Sequence, residues 1–223
     1  LCHYFSTRGL VAATVTYKHA PKARTKEAKS TESRKRVCIT DAKSAIRWYK
    51  QNGEELGINP RKIVAGGGSA GGHISLLATT NPGLNDPRDP KEYDTTVAAY
   101  LLFNPALGAA DAKDSEVDFL QHLKDDLPPA IIFFGSEDKW LKNGWKAASA
   151  KISSLNIADS VDVRIADGQG HGFFNKQPWT DITLIEVDRF LKDLSHLEGD
   201  PTLTMPKTGE KLKDANKTLD STR

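Results

Sequence analysis

Short apolar runs alternate with stretches of helical period along this chain. Residues 10–17 are β-branched and apolar on both faces, which predicts a strand buried inside a parallel sheet. Ile39, Ala42, Ile46 and Tyr49 recur three and four residues apart, and Thr40 or Asp41 can cap the helix they predict. Asn52-Gly53 and Gly57 end that helix, and Asn59-Pro60 turns the chain into a strand at 63–65. A helix then runs from Ser69 to Thr80 and stops before Pro82. Residues 81–94 are a proline-bearing loop, 97–103 another buried strand, and Asn104-Pro105 ends it. The most apolar run, 130–135, predicts a further strand. It is followed by a helix over 140–155, an alternating strand nearer an edge at 161–165, and a helix over 180–194. Residues 1–4 resemble the end of a helix. The polar stretch after His196, with Pro201 and Pro206, predicts a loose tail.

Strands alternating with helices imply βαβ units and right-handed crossovers, hence an α/β three-layer sandwich around a mostly parallel sheet. The boundaries that follow are one domain over 1–196, interrupted by a small acidic excursion at 105–127, and a polar tail over 197–223. At 223 residues the chain suits one core. Lys and Arg number 31 against 29 Asp and Glu, a balance that gives no reason to expect nucleic acid as a partner. The basic residues concentrate at 18–36, without interleaved aromatics, and read as a solvated loop and first helical turn. Asp111 and Asp114 read as solvated acids of the excursion. No apolar run reaches the roughly 18 residues of a membrane span. Cys2 and Cys38 lack metal-ligand spacing, and no metal or other cofactor is expected. The first residue is Leu, in mid-pattern, so the native start is expected upstream. Compartment and oligomeric state are not readable.

Candidate chemistry centres on residues 63–73. Gly67-Gly68-Ser69-Ala70-Gly71 matches G-x-S-x-G, a serine on a sharp strand-to-helix turn. Glycines two residues either side of Ser69 are expected where a side chain would clash with the turn. The backbone N–H of Ala70, at the start of the helix, can stabilise a developing oxyanion. The rival, a phosphate-cradling glycine loop, lacks the Lys-Ser/Thr ending.

A serine needs a base, and the base an acid to hold its tautomer. Open α/β sheets place such groups beyond the carboxyl ends of later strands. His171, in the glycine-flanked loop after 161–165, is the base candidate. His3, His19, His73, His122 and His196 lie before the serine, on its helix, in the excursion or in the tail. Glu137 and Asp138, after 130–135, are the acid candidates. Gly68, Trp140 and Phe173 lie beside these groups and could line a substrate pocket.

Gly67–His73, Gly135-Ser136-Glu137-Asp138 and Gly170-His171-Gly172-Phe173-Phe174-Asn175 together resemble the α/β-hydrolase esterase/lipase family. The similarity is greatest to its hormone-sensitive-lipase-like carboxylesterases and acetyl-xylan or feruloyl-type esterases. Arg8-Gly9-Leu10-Val11 and the segment 41–48 resemble the units around the elbow. The resemblance, which runs from Arg8 to Leu194, selects Asp138 over Glu137. It implies a Ser69–His171–Asp138 triad cleaving small-molecule esters with short acyl groups, acetylated carbohydrates or small aryl esters among them. The family's His-Gly-Gly oxyanion loop precedes the strand that begins near Leu10. The second oxyanion donor and the first strands are therefore expected outside these residues, an N-terminally truncated version of the fold. Two other readings stay open: a prolyl-oligopeptidase-type serine peptidase, and a non-catalytic hydrolase-fold module.

Overall fold

The computed structural model describes residues 1–17 and 31–215. Four parallel strands, β1 (Val64–Gly68), β2 (Ala99–Phe103), β3 (Ala130–Gly135) and β4 (Val161–Ala166), lie side by side in chain order. A fifth, β5 (Leu212–Asp214), pairs antiparallel with β4. Around the sheet are helices α1 (Cys2–Thr7), α2 (Thr31–Gln51), α3 (Ala70–Thr80), α4 (Phe119–His122), α5 (Lys146–Ser154) and α6 (Trp179–Asp193).

The strands are apolar on both faces because both faces are covered. Tyr100, Leu102, Ile132 and Phe134 point to one side, where α2, α3 and α5 supply Ile39, Ile46, Leu77 and Ile152. Leu101, Phe103, Ile131 and Phe133 point to the other, where α1 and α6 supply Phe5, Trp179, Ile182 and Leu191. The two-residue period of the strands thus sorts neighbouring side chains into two cores. A three-layer sandwich results.

Several expectations change. Residues 10–17 join no strand of the sheet and are largely exposed, although Leu10 and Ala12 lean on the second core. β-branched composition makes a segment fit for a ladder, but only a neighbouring strand makes it one. Among the described residues, β1 pairs with β2 alone. The strand expected at 63–65 runs on through the glycines, in register from Val64↔Ala99 to Gly68↔Phe103. The polar tail is not uniformly loose, since Leu212 packs inward and Leu212–Asp214 closes the β4 edge.

α2 begins at Thr31, well before Thr40. Two basic residues of the run that suggested a solvated loop, Lys35 and Arg36, are ion-paired, and residues 18–30 of that run lie outside the described residues. Lys35 bonds Asp111, and Arg36 grips Asp114 through two nitrogens at 2.5 and 2.7 Å. Asp111 and Asp114 are therefore ion-paired rather than simply solvated, and Asp111 is buried. Farther along, Arg47 reaches Asp89 at 2.9 Å, Tyr93 O at 3.0 Å and Asn85 Oδ1 at 2.6 Å. Lys43 is buried and donates to Asn81 O at the end of α3. Burial lowers its pKa to about 8. The excursion itself buries Leu107, Val117, Phe119 and Leu123. None of the helices described is long and apolar enough to cross a membrane.

His73, on α3, is buried, and its Nε2 donates to Val117 O at 2.9 Å, with Asp111 Oδ2 at 3.4 Å. Burial, reinforced by the Lys35 charge, lowers its pKa to about 4 from 6.5. The unfolded chain therefore takes up a proton near pH 6.5 that the folded chain refuses until about 4. Stability from this group is complete above 6.5 and is lost as pH falls through 4. Urea midpoints from pH 7 to pH 4 should fall more steeply for the wild type than for His73→Gln; parallel curves would contradict the assignment.

Candidate active site

The turn between β1 and α3 holds Ser69 at φ 54, ψ −116, a region that side-chain-bearing residues rarely enter. Two backbone bonds hold it there. Ser69 N–H donates to Phe103 O at 2.8 Å, and Ser69 O accepts from Ala106 N–H at 3.0 Å. A Cβ built on Gly67 would stand 2.8 Å from the Gly71 carbonyl carbon, so that glycine is required by contact. The expectation for Gly71 is not met in the same way. Its own Cβ would meet nothing within 4 Å, because Gly67 aims at the helix start while Gly71 aims away.

His171 follows β4 on a loop tied to the loop after β3. Glu137 N–H donates to Gln169 O at 2.9 Å, and Gly168 N–H donates to Ser136 Oγ at 2.8 Å. The imidazole lies with Nε2 2.8 Å from Ser69 Oγ and Nδ1 2.9 Å from Asp138 Oδ2. Asp138 is fully buried, while the His171 side chain is 40% exposed. An ionised carboxylate only accepts, so the proton of neutral His171 sits on Nδ1 and leaves Nε2 free to accept from the serine hydroxyl. Asp138 Oδ1 accepts from Trp140 N–H at 2.9 Å, and Oδ2 also accepts from the Asn104 amide. Glu137 points away into solvent, held by Lys142 at 2.6 Å.

Ala70 is the first residue of α3, where helix N–H groups lack intrahelical partners and the dipole favours negative charge. Gly68, offered as pocket lining, is the last residue of β1, directly before Ser69, with the Phe174 ring against it. Trp140 is half-buried against the first core, with Lys139 Nζ 4.7 Å above its ring. Phe173 is not a pocket residue. It is buried in the second core, edge-on to Trp179 at 5.5 Å, because Gly172 turns the chain inward after His171.

Two residues near the site escaped the sequence reading. Phe174 packs on Phe103 at 5.1 Å, and a Cβ on Gly68 would lie 2.7 Å from its Cζ. Asn104 looked like a strand terminator, and the signal overlooked was a polar side chain directly after five buried strand residues.

Comparisons with known proteins bear on the fold and the family. A family model described as BD-FAE matches residues 3–105. The chain is 35% identical over 106 residues to a Mycobacterium tuberculosis protein described as probable carboxylic ester hydrolase LipM. That match covers 46% of this chain and 22% of LipM, so the chain spans only a minor part of that relative. Thermogutta terrifontis esterase 2 phosphorylated by paraoxon is 31% identical with a TM-score of 0.76, over 89% of this chain and 76% of that one. The propionate-bound form of that esterase is 30% identical with a TM-score of 0.75, over 89% and 77%.

The Gly68–Phe174 contact gives a direct test. Gly68→Ala should destabilise the fold by about 1–3 kcal/mol through overpacking. Combining it with Phe174→Leu should cost less than the sum of the two single changes. Strict additivity in thermal denaturation would show that the ring does not set the size of residue 68.

Proposed function

This chain belongs to the α/β-hydrolase esterase/lipase family, and on that footing we propose that it is a serine carboxylic-ester hydrolase acting through an acyl-enzyme. The observation that carries the reading is the unbroken line from Ser69 Oγ through His171 to the buried Asp138, at 2.8 and 2.9 Å. Ser69 Oγ attacks the ester carbonyl carbon as its proton passes to His171 Nε2. The Asp138 carboxylate faces the imidazolium so formed and keeps the ring in place. The oxyanion develops toward Ala70 N–H and the start of α3.

His171 then gives the proton to the departing alkoxide, and the alcohol leaves. Water attacks the acyl carbon, its proton going to Nε2, and Ser69 is regenerated as the acid is released. Short acyl groups are the proposed substrates, an acetylated sugar or small aryl ester among them. Support comes from the propionate held by Thermogutta esterase 2 and from the small size of the excursion at 105–127.

Ser69→Ala should lower p-nitrophenyl acetate hydrolysis by at least about a thousandfold while leaving the thermal midpoint close to wild type. Paraoxon should add one phosphoryl group to the wild type and none to that variant. Mass spectrometry showing no addition to the wild type would favour a non-catalytic module. Asp138→Asn should cost about 10⁴-fold in kcat by misplacing the imidazole proton, and Glu137→Gln less than about twofold. The reverse ranking would hand the acid role to Glu137.

A further inference from the structure

Among the described residues, Asn104 is the one side chain outside the Ser–His–Asp line that touches its buried carboxylate through a side-chain bond. It is completely buried, with its backbone at φ 47 in the left-handed region that asparagine tolerates. Its amide nitrogen donates to Asp138 Oδ2, the oxygen that faces His171 Nδ1. Its backbone N–H donates to Phe133 O at 2.7 Å, while the preceding carbonyl, Phe103 O, receives Ser69 N–H at 2.8 Å. The position therefore joins the strand end that holds the serine to the strand that leads to the acid.

The other end of the amide is the telling feature. Asn104 Oδ1 is buried and has no hydrogen-bond partner among the described residues. A buried acceptor without a partner is unfavourable, and an apolar side chain of similar shape would avoid it. Turning the amide over would aim that oxygen at the carboxylate, which can only accept. The backbone N–H already makes the bond between the ends of β2 and β3, so the scaffold does not need the side chain for that. What the side chain adds is a donor to Asp138.

We propose that Asn104 is a positioning residue for ester hydrolysis: its amide fixes Asp138 Oδ2 opposite His171 Nδ1 and shares the carboxylate's charge, so the imidazole holds the pose in which Nε2 meets Ser69 Oγ. The proposal rests on the esterase reading above. It assigns a role to a residue that touches neither substrate nor reacting atoms.

The test uses Asn104→Gly, which removes the amide yet keeps the left-handed backbone, and Asn104→Asp, which keeps the shape. With p-nitrophenyl acetate, Asn104→Gly should lower kcat about tenfold or more, as expected for a lost bond to a charged group, with KM within about threefold. The acid limb of kcat/KM should move to higher pH by about 0.5, because a carboxylate with one donor fewer holds a proton more firmly on His171. In Asn104→Asp the new carboxyl donates only while protonated, so its deficit should be deeper at pH 8 than at pH 6. In an Asp138→Asn background, Asn104→Gly should cost little more.

A folded variant with kcat within twofold of wild type and an unmoved acid limb would overturn the proposal. So would an undiminished effect of Asn104→Gly in the Asp138→Asn background, or failure of both variants to fold, which would assign Asn104 to the scaffold. Ser69-dependent turnover that these changes leave undiminished sinks this inference alone. No Ser69-dependent turnover in the wild type would sink the esterase reading with it.

Discussion

Everything at the site depends on a backbone angle that Ser69 would not adopt by itself. A side-chain-bearing residue in such a conformation costs of order 1–3 kcal/mol, and the surroundings must supply the difference. They do so from β2 and the turn after it, through Phe103 O and Ala106 N–H. The position of β2 between β1 and β3 is thus more than topology, since it brings the clamp to the serine. Because β1, β3 and β4 are parallel, the loops after them leave the same end of the sheet. A partly buried serine, an exposed imidazole and a fully buried carboxylate meet there. Water reaches the imidazole and is kept from the carboxylate that must stay fixed.

Away from the site, α2 acts as a spine for segments with little regular structure of their own. Its cations face the loop after α3 and the excursion: Lys35 and Arg36 toward Asp111 and Asp114, Arg47 toward Asp89 and Asn85, Lys50 toward Asp94. Arg36–Asp114 and Lys50–Asp94 each keep one partner exposed, and surface pairs contribute only about 0–1 kcal/mol each, while Lys35–Asp111 and Arg47–Asp89 are largely covered. Their effect is better described as placement. Arg47 alone has three acceptors on one loop, which leaves that loop few alternatives. Lys43 is the exception in this row, since its charge is buried and its partner is a single carbonyl at the end of α3.

Most of this architecture was legible in the chain. β3 coincides with the run expected at 130–135, and α3 with the helix after the elbow, because full burial and glycine punctuation are local signals. Ser69, His171 and Asp138 were reachable too, since each sits on a loop that follows a readable strand. What failed was what depends on neighbours. Residues 10–17 have strand composition and no place in the sheet, and the basic start of α2 looked solvated because its acidic partners lie about seventy to eighty residues away. Phe173 and Phe174 illustrate the limit most plainly. Adjacent aromatics look alike in a sequence, and only the turn at Gly172 decides that the first enters the core while the second lies against Gly68.

β5 carries a consequence of a different kind. A strand such as β4, with a row of unpaired amides and Val161, Val163 and Ile165 along it, would be a template for another chain. Three residues from late in the chain pair with the 164–166 half of that row instead. They make a poor template themselves, being short and carrying charges, with Lys213 bound to Asp167 at 2.8 Å and Asp214 within 4.0 Å of Arg164. The segment that read as a loose tail thus acts as a stopper, and its natural measure is colloidal behaviour: how concentrated the protein can become before one sheet starts to continue into the next.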